Sequence, residues 1–315
     1  MCLARLGAAE TVRGTMKRFA FKKLDAFATA SSAGNPAGAV YLDAEHDISV
    51  PEMQRIAREL KGFVSEVGYV LRLNDDTFRL KYYSSEREVE FCGHATIAIM
   101  YDLFAHDPGL AKKPFLNIVT DKGELVVENR VAQEDAVFIS APVPSFSTRT
   151  ISADELAEAL SVSANALSPE YSASVVNAGL ETLIVPVNGL EDVLAIAPRF
   201  EALERFCVEN SLDIVTVFTD EAADEANRYR TRVFAPRFGY LEDPATGSGN
   251  AALGYYLLEK GSWDGSSISL EQNADRAHPN RIRLATDDID GVEGEKRVVF
   301  GGGAIVRIVG EYLLA

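Results

Sequence analysis

Two stretches of this chain are apolar around their whole circumference, and each opens on a glycine-rich turn. Residues 95–104 follow Cys92-Gly93-His94, and residues 251–259 follow D-P-A-T-G-S-G-N, which runs from Asp243 to Asn250. A helix with no polar face has to be covered on every side. The segments around both helices alternate or run apolar as strands do: 18–28, 39–42, 64–72, 77–83, 115–129 and 136–140 in the first half. In the second half they are 174–177, 182–187, 214–219, 229–234, 267–271, 281–284, 298–300 and 304–312. Surface helices are expected at 51–60, where Pro51 suits a first turn, at 152–160, where Ser152 and Glu155 form a capping pair, and at 201–210.

The two halves therefore share a plan, strands gathered about one buried helix. The expected class is α+β, with two similar lobes, each a β-roll or half-barrel wrapped around its own apolar helix. The first lobe is expected over residues 17–130, completed by a last strand at 304–315, and the second over 131–303. Residues 1–16 read as an extension, since Met16 stands just before the first strand-like run.

Composition narrows the partners. Thirty-one basic against 47 acidic residues give a net charge of −16. Nucleic acid and anionic membrane surfaces demand a basic footprint, so neither is expected. A small anion still can be held by a few local donors. No apolar run reaches the roughly eighteen residues of a membrane span, and the start lacks the apolar core of a signal peptide. Three scattered cysteines, Cys2, Cys92 and Cys207, argue against a disulfide framework. These features point to the cytoplasm. No dinucleotide or P-loop glycine motif is present and no residue cluster has metal-ligand spacing, so no cofactor is expected.

A helix start offers unpaired N–H groups and the positive end of a dipole, and glycine lets a ligand approach them. Two such starts facing each other would hold a carboxylate or a developing enolate. A proton moved between carbons needs a group that removes it and returns it, and a carboxyl can do both when burial brings its pKa towards the working pH. Glu66 sits in the apolar stretch F-V-S-E-V-G-Y-V. His94 can donate to a substrate oxygen or relay a proton. Asp243 can orient His94 or bind an amine. His46, His106 and His278 lie in turn-like polar surroundings and take no role.

The segments G-N-P-A-G-A-V, S-E-V-G-Y-V, E-V-E-F-C-G-H-A-T, V-N-A-G-L-E-T-L-I-V-P-V, E-D-P-A-T-G-S-G-N-A-A and L-E-Q occur in order between Leu24 and Gln272. In this the chain resembles the phenazine-biosynthesis isomerase family, itself related in fold to diaminopimelate epimerase. The resemblance implies an active site between the lobes, a homodimer and no cofactor. It implies Glu66 as the catalytic glutamate, with His94 and Asp243 supporting it. It places Asn35, Gly93 and Ser248 near the substrate, and the backbone donors of Gly93, Gly247 and Ser248 are expected to hold its carboxylate.

The thiol racemases of this fold use one cysteine on each side of the substrate carbon. Cys92 occupies the first position, but Thr246 occupies the second, and a hydroxyl is a far weaker base than a thiol. Cys92 is then expected as a small buried residue, and Cys207 as a helix residue away from both motifs. Other departures are S-E-V where the family has S-E-T, and Asn273 with His278-Pro279 where it has a glycine and an Arg-Pro pair. The expected function is a cofactor-independent isomerase shifting a proton on a small carboxylated substrate. An amino-acid racemase or epimerase, and a non-catalytic metabolite-binding relative, stay open as alternatives.

Overall fold

A computed structural model describes residues 16–288 and 296–315. The extension expected at residues 1–16 thus lies almost wholly outside the described residues, as does Cys2. The fold is mixed α+β, with one large sheet and few helices. Among the described residues no helix is long and apolar enough to cross a membrane.

The helix Gly93–His106 packs against the strands Lys17–Ala26, Asn35–Leu42, Glu66–Arg72, Gly123–Arg130, Ala136–Ser140 and Ala304–Leu314. That cover is why Ile97, Ala98, Ile99 and Met100 are all fully buried. Its one buried charge, Asp102, accepts on Oδ2 from Lys22 Nζ at 2.6 Å and from the Tyr41 hydroxyl at 2.8 Å, while its Oδ1 has no hydrogen-bond partner among the described residues. A buried carboxylate is tolerable when paired in this way. The helix Gly247–Glu259 packs against Ser174–Asn177, Glu181–Pro186, Ile214–Thr219, Asn280–Asp288 and Lys296–Gly302. Leu253 and Tyr256 have no exposed surface there.

Strand pairing repeats between the halves. Asn35–Leu42 runs parallel to Glu66–Arg72 across the helix Val50–Glu59, and Glu181–Pro186 runs parallel to Ile214–Thr219. Each second strand pairs antiparallel with the next, Thr77–Ser84 or Tyr229–Phe234. Each of those carries a two-residue partner, Glu88–Val89 or Glu242–Asp243, just before an apolar helix. The strand Ala136–Ser140 joins the halves, pairing with Gly123–Arg130 on one side and Lys296–Gly302 on the other. The last strand returns to the first, from Lys17↔Leu314 to Ala26↔Ala304.

Three local expectations are corrected. Both apolar helices begin earlier than their apolar runs, at Gly93 and Gly247. The modest helical cost of glycine is outweighed by packing. The run 115–129 is not one strand but a hairpin, Phe115–Thr120 and Gly123–Arg130, turning at Gly123 with φ +125°. Asn35-Pro36 lie in a strand rather than a loop. Proline's fixed φ suits extended backbone, and Pro36 sits opposite Asp25 in the register. The capping pair holds as expected, with Ser152 Oγ accepting from the Glu155 amide at 3.3 Å.

Candidate active site

Glu66 opens a strand whose parallel register sets it beside Ala37 in the G-N-P strand. His94 stands in the first turn of the helix that starts at Gly93. Their side chains meet, His94 Nε2 lying 3.1 Å from Glu66 Oε2. Both are mostly enclosed, at 12% and 19% side-chain exposure, yet open enough for a ligand to reach. Burial works against an imidazolium here, but the Cys92 sulfur and the Glu66 carboxylate outweigh it and raise the His94 pKa well above its ordinary value. Burial also pushes the Cys92 thiol up, opposed by the charge of His94 and reinforced by that of Glu66.

Asp243 stands in a second knot of bonds. Its Oδ1 accepts from Asn35 Nδ2 at 2.8 Å, and its Oδ2 accepts from the Thr246 hydroxyl at 2.5 Å. No bond joins Asp243 to His94, so the expectation that the aspartate orients the histidine directly is not met; Asn35 and Thr246 are what hold it. Burial raises the Asp243 pKa to about 6, opposed by the nearby His94 charge and the two hydrogen bonds and reinforced by Glu66.

Asn35, with 1% exposure, ties the two knots together. It donates to Asp243 and to the Ala245 carbonyl at 3.0 Å, and its Oδ1 accepts from Ser65 Oγ at 3.2 Å, next door to Glu66. Gly93 and Gly247 flank the buried ring of Phe300. A Cβ on Gly247 would stand 2.2 Å from that ring and one on Gly93 3.6 Å. The two helix starts therefore converge, and at Gly247 only a glycine permits the approach. Among the described residues the amides of Gly93, Gly247 and Ser248 take no protein acceptor, as first-turn amides of a helix do not.

Sequence reasoning missed several participants. Cys92, expected as a bystander, is indeed buried at 7%, but its sulfur also contacts Glu66 Oε2 at 3.9 Å and His94 Nδ1 at 3.5 Å. Cys207 lies in the helix Phe200–Glu209, fully buried, its thiol pushed up to about 12 by burial. Gln272, the end of L-E-Q, accepts from the Thr246 amide at 2.9 Å and donates to the Asp243 carbonyl at 2.8 Å. Asn280 donates to the Pro244 carbonyl at 2.7 Å and accepts from the Gly34 amide at 2.8 Å, stapling the two glycine-rich loops; nothing in its local sequence marked it. Tyr240 is partly exposed, and desolvation with the charges of Asp243 and Glu66 pushes its pKa up.

The departure at Asn273 has a physical reading. Its φ is +124°, a conformation natural to the glycine expected there. The strain is held by its side chain, which accepts from Arg230 Nη2 at 3.1 Å and from the Asp275 amide at 2.9 Å and donates to the His278 carbonyl at 3.0 Å. A cavity of about 650 Å³ opens beside this loop, lined by Thr29, Ser31, Glu271 and Arg281 among others. Glu66, His94 and Asp243 do not line it.

Comparison with known proteins places the chain among isomerases. It belongs to the phenazine biosynthesis-like (PhzC-PhzF) family, which it matches over residues 24–310. It is 34% identical to an uncharacterized isomerase of Deinococcus radiodurans, over 78% of each chain. It is 28% identical to the trans-2,3-dihydro-3-hydroxyanthranilate isomerase of Pseudomonas chlororaphis, over 90% of this chain and 98% of that one. The crystal structure of the Bacillus anthracis phenazine biosynthesis protein of the PhzF family superposes with a TM-score of 0.82 at 26% identity, covering 95% of this chain and 99% of the other. A hydroxyproline epimerase from Agrobacterium vitis shares the fold alone, with a TM-score of 0.56 at 11% identity over 94% of this chain and 91% of that one.

Proposed function

We propose that this chain is a cofactor-independent isomerase that shifts a proton on a small carboxylated, cyclic or amino-acid-like substrate. The observation that supports it best is the Glu66–His94 contact at 3.1 Å, set beside two converging helix starts. Glu66 removes the proton and returns it on the same face. The His94 imidazolium positions Glu66 and donates to the substrate oxygen on which charge develops. Asp243, held by Asn35 and Thr246, titrates near neutrality and carries the second polar end of the substrate. The free amides of Gly93, Gly247 and Ser248 hold the substrate carboxylate at the positive ends of the two helices. In this reading the halves form two lobes, the site is the cleft between them, and the protein works in the cytoplasm.

The two-base racemase reading is disfavoured by the position of Thr246, whose hydroxyl donates to Asp243 rather than facing an empty cleft as a second acid. We also infer a homodimer. The last strand pairs with Lys17–Ala26 on one edge, and it exposes Ile308, Val309 and Leu313, apolar surface suited to a second copy. The functional test is incubation in D2O with trans-2,3-dihydro-3-hydroxyanthranilate and a panel of related cyclic acids and amino acids. Mass spectrometry should find solvent deuterium in at least one product. A panel recovered unlabelled, beside protein that binds its members, would favour the metabolite-binding alternative.

A further inference from the structure

The three groups that meet at the start of the first apolar helix come from two separate segments, so no spacing in the sequence announces them. Cys92 Sγ, His94 Nε2 and Glu66 Oε2 are separated by 3.9 Å, 3.1 Å and 3.9 Å. The point equidistant from three atoms so placed lies about 2.1 Å from each, whereas zinc stands roughly 2.0–2.2 Å from nitrogen and carboxylate oxygen and about 2.3 Å from sulfur. The separations suit a zinc ion, and the His94 ring has to turn to aim the Nε2 lone pair at it, because Cys92 Sγ now lies closer to Nδ1, at 3.5 Å, than to Nε2.

The donor set also selects the ion. A sulfur, an imidazole nitrogen and one carboxylate oxygen suit zinc and its soft neighbours, and a sulfur ligand disfavours magnesium and calcium. Cys92 caps the N-terminus of its helix, where the dipole assists a sulfur that becomes an anionic ligand. Three protein ligands leave a fourth position open, and the exposed edges of Glu66 and His94 give an ion access from the cleft.

We propose that Glu66, Cys92 and His94 form an inhibitory binding site for Zn2+. The ion takes Glu66 and His94 as ligands, and the enzyme stops until the ion is withdrawn. The binding depends only on the three side chains, and it releases the protons that the His94 imidazolium and the Cys92 thiol carry. The inhibition rests on the reading of Glu66 as the base.

The test starts from full-length protein treated with a chelator and freed of it. Zn2+ is titrated against a chromophoric competitor, and Co2+ is added separately to read a sulfur-to-cobalt charge-transfer band in the near ultraviolet. One equivalent of Zn2+ is expected to bind. Affinity should fall at least tenfold in Cys92→Ala and in Glu66→Gln, each checked for folding by circular dichroism, and the cobalt band should vanish in Cys92→Ala. Binding that is absent, or unchanged in both folded variants, overturns the site and identifies any bound zinc as surface carboxylate binding. With the site present, one equivalent of Zn2+ should abolish deuterium exchange reversibly. Zinc bound with the cobalt band, in a protein that exchanges no proton on any substrate, upholds the site and overturns the catalytic reading instead.

Discussion

Replacing Asp243 with asparagine is expected to stabilise the protein at neutral pH and to do so less in acid. The native Asp243 pKa, about 6 against an ordinary 3.8, means that the folded state binds this proton more tightly than the unfolded chain does. Between those two values the native state holds more protons than the unfolded one, so stability falls as pH rises and levels off above 6. Linkage with these two pKa values gives a cost of roughly 1–2 kcal/mol at pH 5 and about 3 kcal/mol at pH 7.5. Asparagine removes the titration and keeps a hydrogen-bonding partner for both Asn35 and Thr246. Urea unfolding, followed by fluorescence of the single buried tryptophan, Trp263, should show a wild-type-to-variant gap that widens by roughly 1–2 kcal/mol between pH 5 and 7.5. Activity should fall while stability rises. A gap independent of pH would refute the burial argument, and with it the placing of Asp243 as a group poised near neutrality.

Three other outcomes follow from the packing. Asn35→Ala removes a hydrogen bond that holds the Asp243 pKa down, so a carboxyl NMR titration should find Asp243 above its wild-type value. Gly301→Ala puts a Cβ 2.1 Å from the Val137 carbonyl oxygen, a backbone atom that cannot rotate away; thermal unfolding should show a loss of about 1–3 kcal/mol. Asn273→Ala keeps the positive φ and loses the bonds that compensate for it, a cost of about 1–3 kcal/mol, whereas Asn273→Gly should lose much less by the same measurement.

The fold was legible because its strongest constraint is local. A helix apolar on all sides, as at Ile97 to Met100 and Ala251 to Leu253, dictates that sheet surrounds it, and the repeated glycine starts identify the two helices as equivalents. The hairpin turn at Gly123 does have a mark in the sequence, Asp121-Lys122-Gly123, but the apolar alternation on both sides of it hides the break. The grouping of the candidate site was legible where motifs carry it. Glu66, His94, Asn35 and Asp243 were singled out and the fold brings them together, but the wiring among them differs. Asp243 answers to Asn35 and Thr246, 208 residues apart along the chain in the first case, and no sequence pattern specifies such pairing. Cys92 was seen only as the present half of a thiol pair that Thr246 leaves incomplete, and so as a small buried residue. Its contact with Glu66 depends on how a strand and a helix start are set side by side. Asn280 acts through its side-chain amide and Phe300 through its ring face, and their residue types leave no mark in the sequence.

The central claim is that one carboxylate moves the proton. Glu66→Gln keeps the size and the hydrogen bonds of the side chain but cannot take a proton. On any substrate the wild type turns over, rates of isomerisation and of deuterium incorporation in D2O should both fall by roughly 10²–10⁴-fold in the variant. Substrate affinity should stay within a few-fold of the wild type, since the helix-start amides that hold the carboxylate are untouched. Turnover and label incorporation that survive the substitution would contradict the account.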